Sequence, residues 1–365
     1  MHGCRRPIAR AVGFAVSRTL RIAVPVALLL LAGAAATSVW IGMRSLDAPL
    51  RLSMPLRFKV PPGASFAHVA TELAAQGVVA HPKAWIFYAR WKGLAPAVKA
   101  GEYEVQPGAT ARELLMKMVN GQVLLHSFTI VDGWRVQDML EALRRNPEIV
   151  STLPQPASPA APGADVMGKL GSAGTDPEGQ FLPETYRFIG GTTDVELLRQ
   201  AHAALLRELD AAWRDRDPDL PLHTAGELLI MSSIVEKESG LPQELPKIAG
   251  LYLHRLSIGM RLQADPTVIY GLGQHYDGDI HSVDLRTDGP YNTYTRAGLP
   301  PTPIALAGAA AIRATARPEK TDALYFVAST KGDGSHVFSA TLEQHNAAVA
   351  SYVAHQRKAA QESPR

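Results

Sequence analysis

The sequence contains almost no cysteine. Cys4 is the only one among 365 residues, whereas a disulfide needs two cysteines and a thiolate metal cluster needs several. Neither framework is therefore available to this chain. Glycine and proline, at 30 and 27 residues, are plentiful but follow no period, which excludes a collagen-like chain. With 46% hydrophobic and 19% charged residues, a folded protein of two or three domains is expected.

An excess of positive charge is also missing from most of the chain. The formal net charge is +3, but five arginines precede the first apolar run: Arg5, Arg6, Arg10, Arg18 and Arg21. Without them, 32 of the 37 basic residues remain, against 34 acidic residues. The rest of the chain is slightly acidic and has no electrostatic basis for binding nucleic acid.

Several catalytic motifs are absent. The sequence has no Ser-x-x-Lys and no Gly-x-Ser-x-Gly motif, which argues against a serine acyl-transferase or peptidase. It has no His-Glu-x-x-His helix, and scattered histidines are expected at the surface or at helix caps: His254, His275, His281, His336 and His345. The glycine-rich stretches 271–273 and 332–334 lack the lysine of a phosphate loop and predict turns.

One long apolar run is present, from Ile22 to Met43, and it carries no charge until Arg44. Its length is enough for a helix to cross a bilayer, and the arginines before it place the N-terminus in the cytoplasm. Alternatively, Ala34-Ala35-Ala36 could be a signal-peptidase site. Cys4 precedes the run and therefore cannot be a lipoprotein acylation site. In both cases the chain after about residue 44 is exported.

A strand, a Pro/Gly turn and a helix recur three times in the next part of the chain. Residues 60–65 precede the amphipathic run 66–76, residues 105–110 precede 111–119, and residues 131–134 precede 136–143. Thr110 and Glu113 have the spacing of a capping box. Residues 55–125 resemble a LysM-like module, a small fold of the kind that binds cell-wall polymers. The alternative is a packing domain or a spacer.

The second half of the chain mixes helical and strand patterns. The segment 153–165 is rich in proline and alanine and predicts an exposed loop. Helices are predicted at 195–213, 225–239, 245–256 and near 304–316, and strands at 324–328 and 336–339. This mixture predicts an α+β domain.

Glu238 is the most informative residue of the helix 225–239. At 100° per residue it falls on the apolar face, whereas Glu236 falls on the opposite, polar side and Lys237 at its edge; the apolar face consists of Leu228, Ile230, Met231, Ile234 and Val235. Loss of hydration raises the pKa of a carboxyl group, which suits a general acid at neutral pH. The structural alternatives are a buried pair with an arginine such as Arg255, or a helix-end glutamate that reaches water.

Four ordered motifs closely resemble the endolytic murein transglycosylase (YceG-like) family. They are SIVEKES (233–239), GMRLQADPTVIYG (259–271), YNTY (291–294) and GLPPTPI (298–304), and FLPETY (181–186), LYFVA (324–328) and HVF (336–338) fit as well. The similarity covers about residues 55–350, and the segment 153–165 agrees least.

The resemblance implies a peptidoglycan lytic transglycosylase, a lyase in which Glu238, the second glutamate of Glu-Lys-Glu, is the catalytic residue. Glu238 would protonate the β-1,4 bond between N-acetylmuramic acid and N-acetylglucosamine within a glycan strand. The muramic C6 hydroxyl would then close a 1,6-anhydro ring. Because the substrate supplies the nucleophile, neither a second carboxylate nor a metal or organic cofactor is needed.

The apolar run, its flanking arginines and the resemblance together predict a domain plan and a location. The expected parts are a cytoplasmic N-terminus (1–21), a transmembrane helix (22–43), a periplasmic LysM-like module (44–125), a YceG-like catalytic domain (126–352) and a C-terminal tail (353–365). The protein would be anchored once in the cell inner membrane, with its catalytic domain in the periplasm. It would act on nascent glycan strands, end their elongation and thereby set their length, beside peptidoglycan synthases.

Other motif residues are candidates for binding the substrate. Gln263, Asp265 and Thr267 are expected to form hydrogen bonds with sugar hydroxyls and N-acetyl groups. Tyr291 and Tyr294 offer aromatic faces for sugar rings, and Asn292 offers an amide. The alternative is structural: Asp265-Pro266-Thr267 as a helix cap and turn, and the tyrosines as core residues.

Two further carboxylates, Glu178 and Glu184, are candidates for the cleft, and Glu184 ranks higher because it lies in a motif. Two other functions remain open. In a wall-binding scaffold Glu238 would be structural, and in a hydrolytic muramidase Glu184 or Asp265 would be the second carboxylate.

Overall fold

The structure is a computed structural model that describes residues 18–154 and 166–362. Cys4, the arginines at 5, 6 and 10, and most of the Pro/Ala-rich segment lie outside the described residues. The chain divides into two compact units, Met1–Leu124 and Leu125–Arg365.

The first unit begins with helix α1 (Arg18–Arg44). The stretch from Leu29 to Asp47 is long and apolar enough to cross a membrane, with a mean hydropathy of 1.4. The side chains of Leu29, Leu30 and Leu31 are largely exposed. The predicted apolar helix is therefore present. A signal sequence has the same length and composition, so both interpretations of this helix remain open.

The rest of the first unit encloses two helices between two strands and ends with a further helix. Its elements are β1 (Leu56–Val60), α2 (Phe66–Ala75), α3 (Pro82–Trp91), β2 (Gly101–Val105) and α4 (Ala111–Asn120). Strands β1 and β2 are antiparallel, with Phe58 opposite Tyr103, and Trp85 and Tyr103 are fully buried in the core. The predicted capping box of α4 is confirmed.

The second unit contains four short strands among nine helices in its described residues. The strands are β3 (Leu125–Thr129), β4 (Thr185–Ile189), β5 (Tyr325–Ala328) and β6 (His336–Ser339). The helices are α5 (Val136–Arg145), α6 (Val166–Lys169), α7 (Asp194–Arg214), α8 (Ala225–Glu238), α9 (Leu245–Ser257), α10 (Asp265–Leu272), α11 (Ser282–Arg286), α12 (Ala309–Ala316) and α13 (Leu342–Glu362).

Helix α8 lies at the centre of this unit. It packs against α7, α9, α10 and α12. The strands form two antiparallel pairs, β3 with β4 and β5 with β6. The mixed α+β class is confirmed, and the third strand–turn–helix repeat is observed as β3 and α5.

The helix predicted near 304–316 begins only at Ala309. The segment before it is not helical, because its N–H groups bond to other parts of the unit. Ile304 N donates to Ser233 Oγ (3.0 Å), and Leu306 N donates to the carbonyl of Trp134 (2.7 Å). These partners replace the bonds that a helix would form within itself.

One smaller prediction was also wrong. Gly271 and Leu272 are not in a turn but in the last turn of α10, and Gly273 ends the helix at a φ of 56°. Helix α13 extends beyond residue 353 and ends at Glu362.

Candidate active site

Helix α8 is buried on nearly all sides. It starts at the cap residue Thr224, whose hydroxyl accepts from Glu227 N (3.1 Å). Besides the predicted apolar face, Leu229, Ser232 and Ser233 are buried, and the two serine hydroxyls bond to carbonyls one turn earlier in α8. The side opposite the apolar face, which was expected to be polar, is therefore largely covered by other parts of the unit.

Glu238 is the last residue of α8, and its side chain is partly buried. Its Oε1 accepts a short hydrogen bond from the hydroxyl of Tyr252 on α9. Burial raises the pKa of Glu238 to about 7, and the Asp265 charge adds to this rise, whereas the Tyr252 hydrogen bond and Arg255 oppose it. The C-terminal end of a helix also disfavours a negative charge. The carboxyl group can therefore hold a proton at neutral pH.

Tyr252 fixes the orientation of this carboxyl group. It is 1% exposed and its ring meets Phe326 edge-on at 6.1 Å. Burial raises the pKa of Tyr252 well above its usual range, so its hydroxyl remains a donor. Since Oε1 is occupied by this bond, Oε2 is the oxygen left for a substrate.

Arg255 does not pair with Glu238. Its Nε donates to the carbonyl of Leu324 (2.6 Å), and one terminal nitrogen donates to the carbonyl of Leu262. The guanidinium thus ties α9 to two neighbouring segments, and the alternative of a Glu238–Arg255 ion pair is not observed.

Asp265 and Tyr294 are brought to the same place. The Tyr294 hydroxyl donates to Asp265 Oδ1 at 2.5 Å, and the charge of Asp265 is close enough to raise the pKa of Glu238. Gln263, two residues before Asp265, is exposed and has a φ of 51°, the only positive value among the described non-glycine residues. Such a backbone conformation is costly and is common at functional sites.

Thr267 and Asn292 are buried and do not face the solvent next to Asp265 and Tyr294. Thr267 is fully buried and bonds to the Ala264 carbonyl (2.7 Å) and the Thr293 hydroxyl (2.9 Å). The Asn292 amide donates to three backbone carbonyls, and its Oδ1 accepts from Tyr294 N (2.9 Å). The geometry favours the structural alternative for both residues, in which they hold Asp265 and Tyr294 in position.

Tyr291 and Glu178 belong to a separate cluster around Tyr270. Tyr291 meets the Tyr270 ring at 4.8 Å and bonds through its hydroxyl to Thr302 (2.8 Å). Glu178 is 7% exposed and accepts from Val136 N at the start of α5 (3.0 Å) and from the Tyr270 hydroxyl (3.3 Å). Burial raises the pKa of Glu178 to about 7, but both of its oxygens have protein partners.

Glu184, ranked above Glu178 from the sequence, lies at the exposed start of β4. It is not among the groups that shift the pKa of Glu238. The structure thus brings Asp265 and Tyr294 close to Glu238, whereas the carbonyl of Glu184 accepts from Ile130 N (3.0 Å) next to the pair β3 and β4.

The sequence did not reveal that a second carboxylate of α8, that of Glu236, is also partly buried. Glu236 Oε2 accepts from Gly308 N at 3.0 Å, and burial, reinforced by Asp132, raises the pKa of Glu236. A Cβ at Gly308 would lie 2.2 Å from Asp132 Oδ1, so any larger residue there would have to displace the Asp132 carboxylate. Glu236 and Gly308 are 72 residues apart, so their contact is visible only in the folded structure.

A histidine next to the end of α8 was also missed. His336 was expected at the surface or at a cap, but its Nδ1 lies 2.7 Å from Glu244 Oε2, and both side chains are largely buried. Glu244 also accepts from the Ser239 hydroxyl (3.4 Å), directly after Glu238. This pair braces the chain where α8 ends.

Together, these observations define a mixed α+β protein with a desolvated carboxylic acid suited to general acid/base chemistry. The model of the YceG-like family matches residues 58–351. The chain therefore belongs to the YceG-like family.

The chain is also similar to individual proteins. It is 29% identical to the endolytic murein transglycosylase of Bacillus subtilis, over 82% of this chain and 85% of the relative. It is 27% identical to the endolytic murein transglycosylases of two Streptococcus pneumoniae strains, over 80% of this chain, and spans only 58% of their length. A crystal structure of a YceG-like protein from Listeria monocytogenes matches 80% of this chain and 98% of that one, with 28% identity and a TM-score of 0.47.

Proposed function

We propose that this chain is an endolytic murein transglycosylase, a lyase that acts on peptidoglycan, with Glu238 as its single acid/base. It cuts the β-1,4 bond between N-acetylmuramic acid and N-acetylglucosamine inside glycan strands. Membership of the YceG-like family and the names of the relatives support the class of enzyme. The observation that carries the residue assignment is the position of the Glu238 carboxyl group at the end of α8, where the Tyr252 hydroxyl holds Oε1 and leaves Oε2 for a substrate. Burial raises the pKa of Glu238 to about 7, so both protonation states are accessible near neutral pH.

One residue, Glu238, performs both proton transfers in this proposal. Protonated Glu238 gives its Oε2 proton to the glycosidic oxygen as the bond to C1 breaks. The resulting carboxylate takes the proton of the muramic C6 hydroxyl, whose oxygen attacks C1 and closes the 1,6-anhydro ring. The carboxyl group is then protonated again, no water is consumed, and the Tyr252 hydrogen bond stabilises the carboxylate between the two transfers.

Asp265 is the residue on which a hydrolytic alternative depends. It is an exposed carboxylate near Glu238, so in a muramidase it would act from the opposite side of the sugar ring as the second carboxylate. Its bond from Tyr294 favours a role in positioning the substrate, together with Gln263. A wall-binding scaffold would not need a carboxyl group whose pKa is raised towards neutral pH, whereas an acid/base enzyme does.

The location and the first unit complete the proposal. Helix α1 anchors the protein in the cell inner membrane, with the body on the periplasmic side, since it has the length and composition of a membrane span. We retain the LysM-like interpretation of residues 55–125, supported by the two helices between β1 and β2. Tethered near emerging strands, the enzyme ends their elongation beside peptidoglycan synthases.

Mass spectrometry of glycan products tests the assignment. The full chain in detergent, Glu238→Gln and Glu236→Gln are each incubated with uncrosslinked peptidoglycan. Glu236 is a matched control because it is also partly buried on α8 and its glutamine variant can still accept from Gly308 N. We expect fragments ending in 1,6-anhydro-muramic acid from the unmodified protein and from Glu236→Gln, and none from Glu238→Gln.

Other outcomes would each reject part of the proposal. Reducing muramic acid ends would make the protein a hydrolase and direct attention to Asp265. Strand binding without cleavage by the unmodified protein would favour a scaffold. Cleavage by Glu238→Gln at the unmodified rate would reject Glu238 as the acid/base.

A further inference from the structure

Helix α3 exposes an unusual face. The stretch from Pro82 to Lys92, PKAWIFYARWK, has three basic residues and no acidic one. One side of α3 is buried through Trp85, Tyr88 and Ala89. The other side exposes Phe87 and Trp91, at 56% and 63%. Exposed aromatic residues four apart on a basic helix are typical of a helix that lies in a membrane interface.

The basic side chains frame the two aromatic rings. Lys83 is exposed four residues before Phe87, and Arg90 is exposed beside Trp91. The ammonium group of Lys92 lies 4.6 Å from the Trp91 ring centroid. With Lys83, Phe87 and Trp91 at positions i, i+4 and i+8, the face is one continuous stripe along the helix.

This stripe adjoins the end of the apolar helix α1. Gly42 approaches α3 so closely that a Cβ there would lie 2.8 Å from the Cβ of Ala84. Ser38 and Val39 of α1 line one cleft together with Phe87. The side chain of Phe87 is therefore at the level of the last turns of α1.

The same turns of α1 carry the signature of a membrane–water boundary. Trp40 is 57% exposed, and the Arg44 guanidinium lies 4.6 Å from its ring centroid. Tryptophan and arginine at the end of an apolar span are its usual interfacial anchors. Phe87 of α3 thus lies at the level along α1 that Trp40 and Arg44 mark as the membrane–water boundary.

We propose that α3 lies on the outer surface of the membrane that α1 crosses, with Phe87 and Trp91 inserted at the boundary of headgroups and acyl chains and its basic residues against anionic lipid headgroups. This inference rests on the anchoring proposed above. The first unit would then be fixed on the membrane surface through a second contact, besides its covalent link to α1. The surface fits a bilayer rather than a nucleic acid or a glycan, because its aromatic side chains adjoin the apolar helix.

Site-specific fluorescence on the full chain tests this contact. With Cys4→Ser as background, single cysteines carry an environment-sensitive dye in vesicles of phosphatidylcholine and phosphatidylglycerol, and brominated acyl chains serve as the quencher. The test positions are Phe87→Cys and Trp91→Cys. Leu30→Cys reports the anchor, and Thr71→Cys on α2, next to the exposed Glu72, is the water-facing control.

We expect a blue shift and quenching at positions 30, 87 and 91, and neither at 71. Quenching at 30 alone would overturn this inference and leave the anchor intact. No quenching at any position would reject the anchor and this inference with it. A blue shift at 87 and 91 without quenching would assign the surface to a protein partner or a second copy, and would also overturn the inference. None of these readouts depends on glycan cleavage.

Charge reversal provides an independent check. Each basic residue at an anionic surface strengthens association about fivefold. Lys83→Glu combined with Lys92→Glu should therefore lower quenching at position 87 in vesicles that contain phosphatidylglycerol, and far less in pure phosphatidylcholine. Both lysines are exposed, so the unfolding temperature should not change. Equal quenching in both lipids, with and without the lysines, would reject the contact with anionic headgroups.

Discussion

Replacing Tyr252 by phenylalanine should move the alkaline limit of catalysis to higher pH. The hydroxyl donates to Glu238 Oε1 and lowers the pKa of that carboxyl group relative to burial alone. Without the hydroxyl, the ionised form loses its donor and the protonated form is favoured. Since the first step needs protonated Glu238, activity should persist at a pH where the unmodified enzyme has lost it.

The size of the shift follows from the strength of the bond. A hydrogen bond to a charged group contributes about 1.5–3 kcal/mol, and one pKa unit corresponds to about 1.36 kcal/mol. The hydroxyl also bonds the neutral carboxyl group, so only the difference between the two forms changes the pKa. We therefore expect the midpoint to rise from about 7 by about 1 unit. The maximum rate should fall, because the carboxylate between the two proton transfers is less stable.

The pH profile of glycan cleavage, measured as the rate of strand-end formation, provides the test. Tyr186→Phe is a matched control, because its buried hydroxyl donates to the Leu182 carbonyl (2.7 Å) rather than to Glu238. Its profile should keep the midpoint of the unmodified enzyme. An unchanged or lower midpoint for Tyr252→Phe, with a folded protein, would refute the account of how Glu238 is tuned.

Three further variants test the site through stability. The folded state raises the pKa of Glu238 from 4.5 to about 7, so the unmodified protein loses stability as the pH rises through this window. Glu238→Gln should therefore be more stable than the unmodified protein by about 3 kcal/mol above about pH 8 and equally stable below about pH 4. A pH-independent difference in urea unfolding would contradict this. Gly308→Ala places a Cβ 2.2 Å from Asp132 Oδ1 and should lower the free energy of unfolding in urea by about 1–3 kcal/mol. Gly240→Ala is the control, because no atom lies within 4 Å of a Cβ there, and it should change this free energy little. Asn292→Ala leaves three backbone carbonyls without their donor and should lower the free energy of unfolding by about 2 kcal/mol. Lost glycan binding at unchanged stability would instead show that Asn292 contacts the sugar.

Local sequence signals predicted much of the fold. The strand–turn–helix repeats, the helix α8 and the strands β5 and β6 could be predicted because their apolar periods and turn residues lie within one element. The late start of α12 could not, because its preceding N–H groups bond to Ser233 and to the Trp134 carbonyl. Such partners are distant in sequence and leave no local pattern.

At the site, too, features within one element could be predicted and contacts between distant elements could not. Glu238 could be selected from one helix, since a carboxylate on an apolar face is visible in the sequence. Its tuning could not, because Tyr252 lies on a different helix and has the pattern of an ordinary core residue. The environment of Glu236 could not be predicted for a related reason: the projection of a single helix cannot show which distant segments cover its polar side.

The source of the nucleophile is the central claim, and cleavage in water enriched in ¹⁸O tests it most directly. Mass spectrometry of the new strand ends distinguishes attack by the muramic C6 hydroxyl from attack by water. The account predicts ends that contain no ¹⁸O and lack the mass of one water relative to a reducing end, and that are not formed by Glu238→Gln. Reducing ends that carry ¹⁸O would contradict it and identify water as the nucleophile.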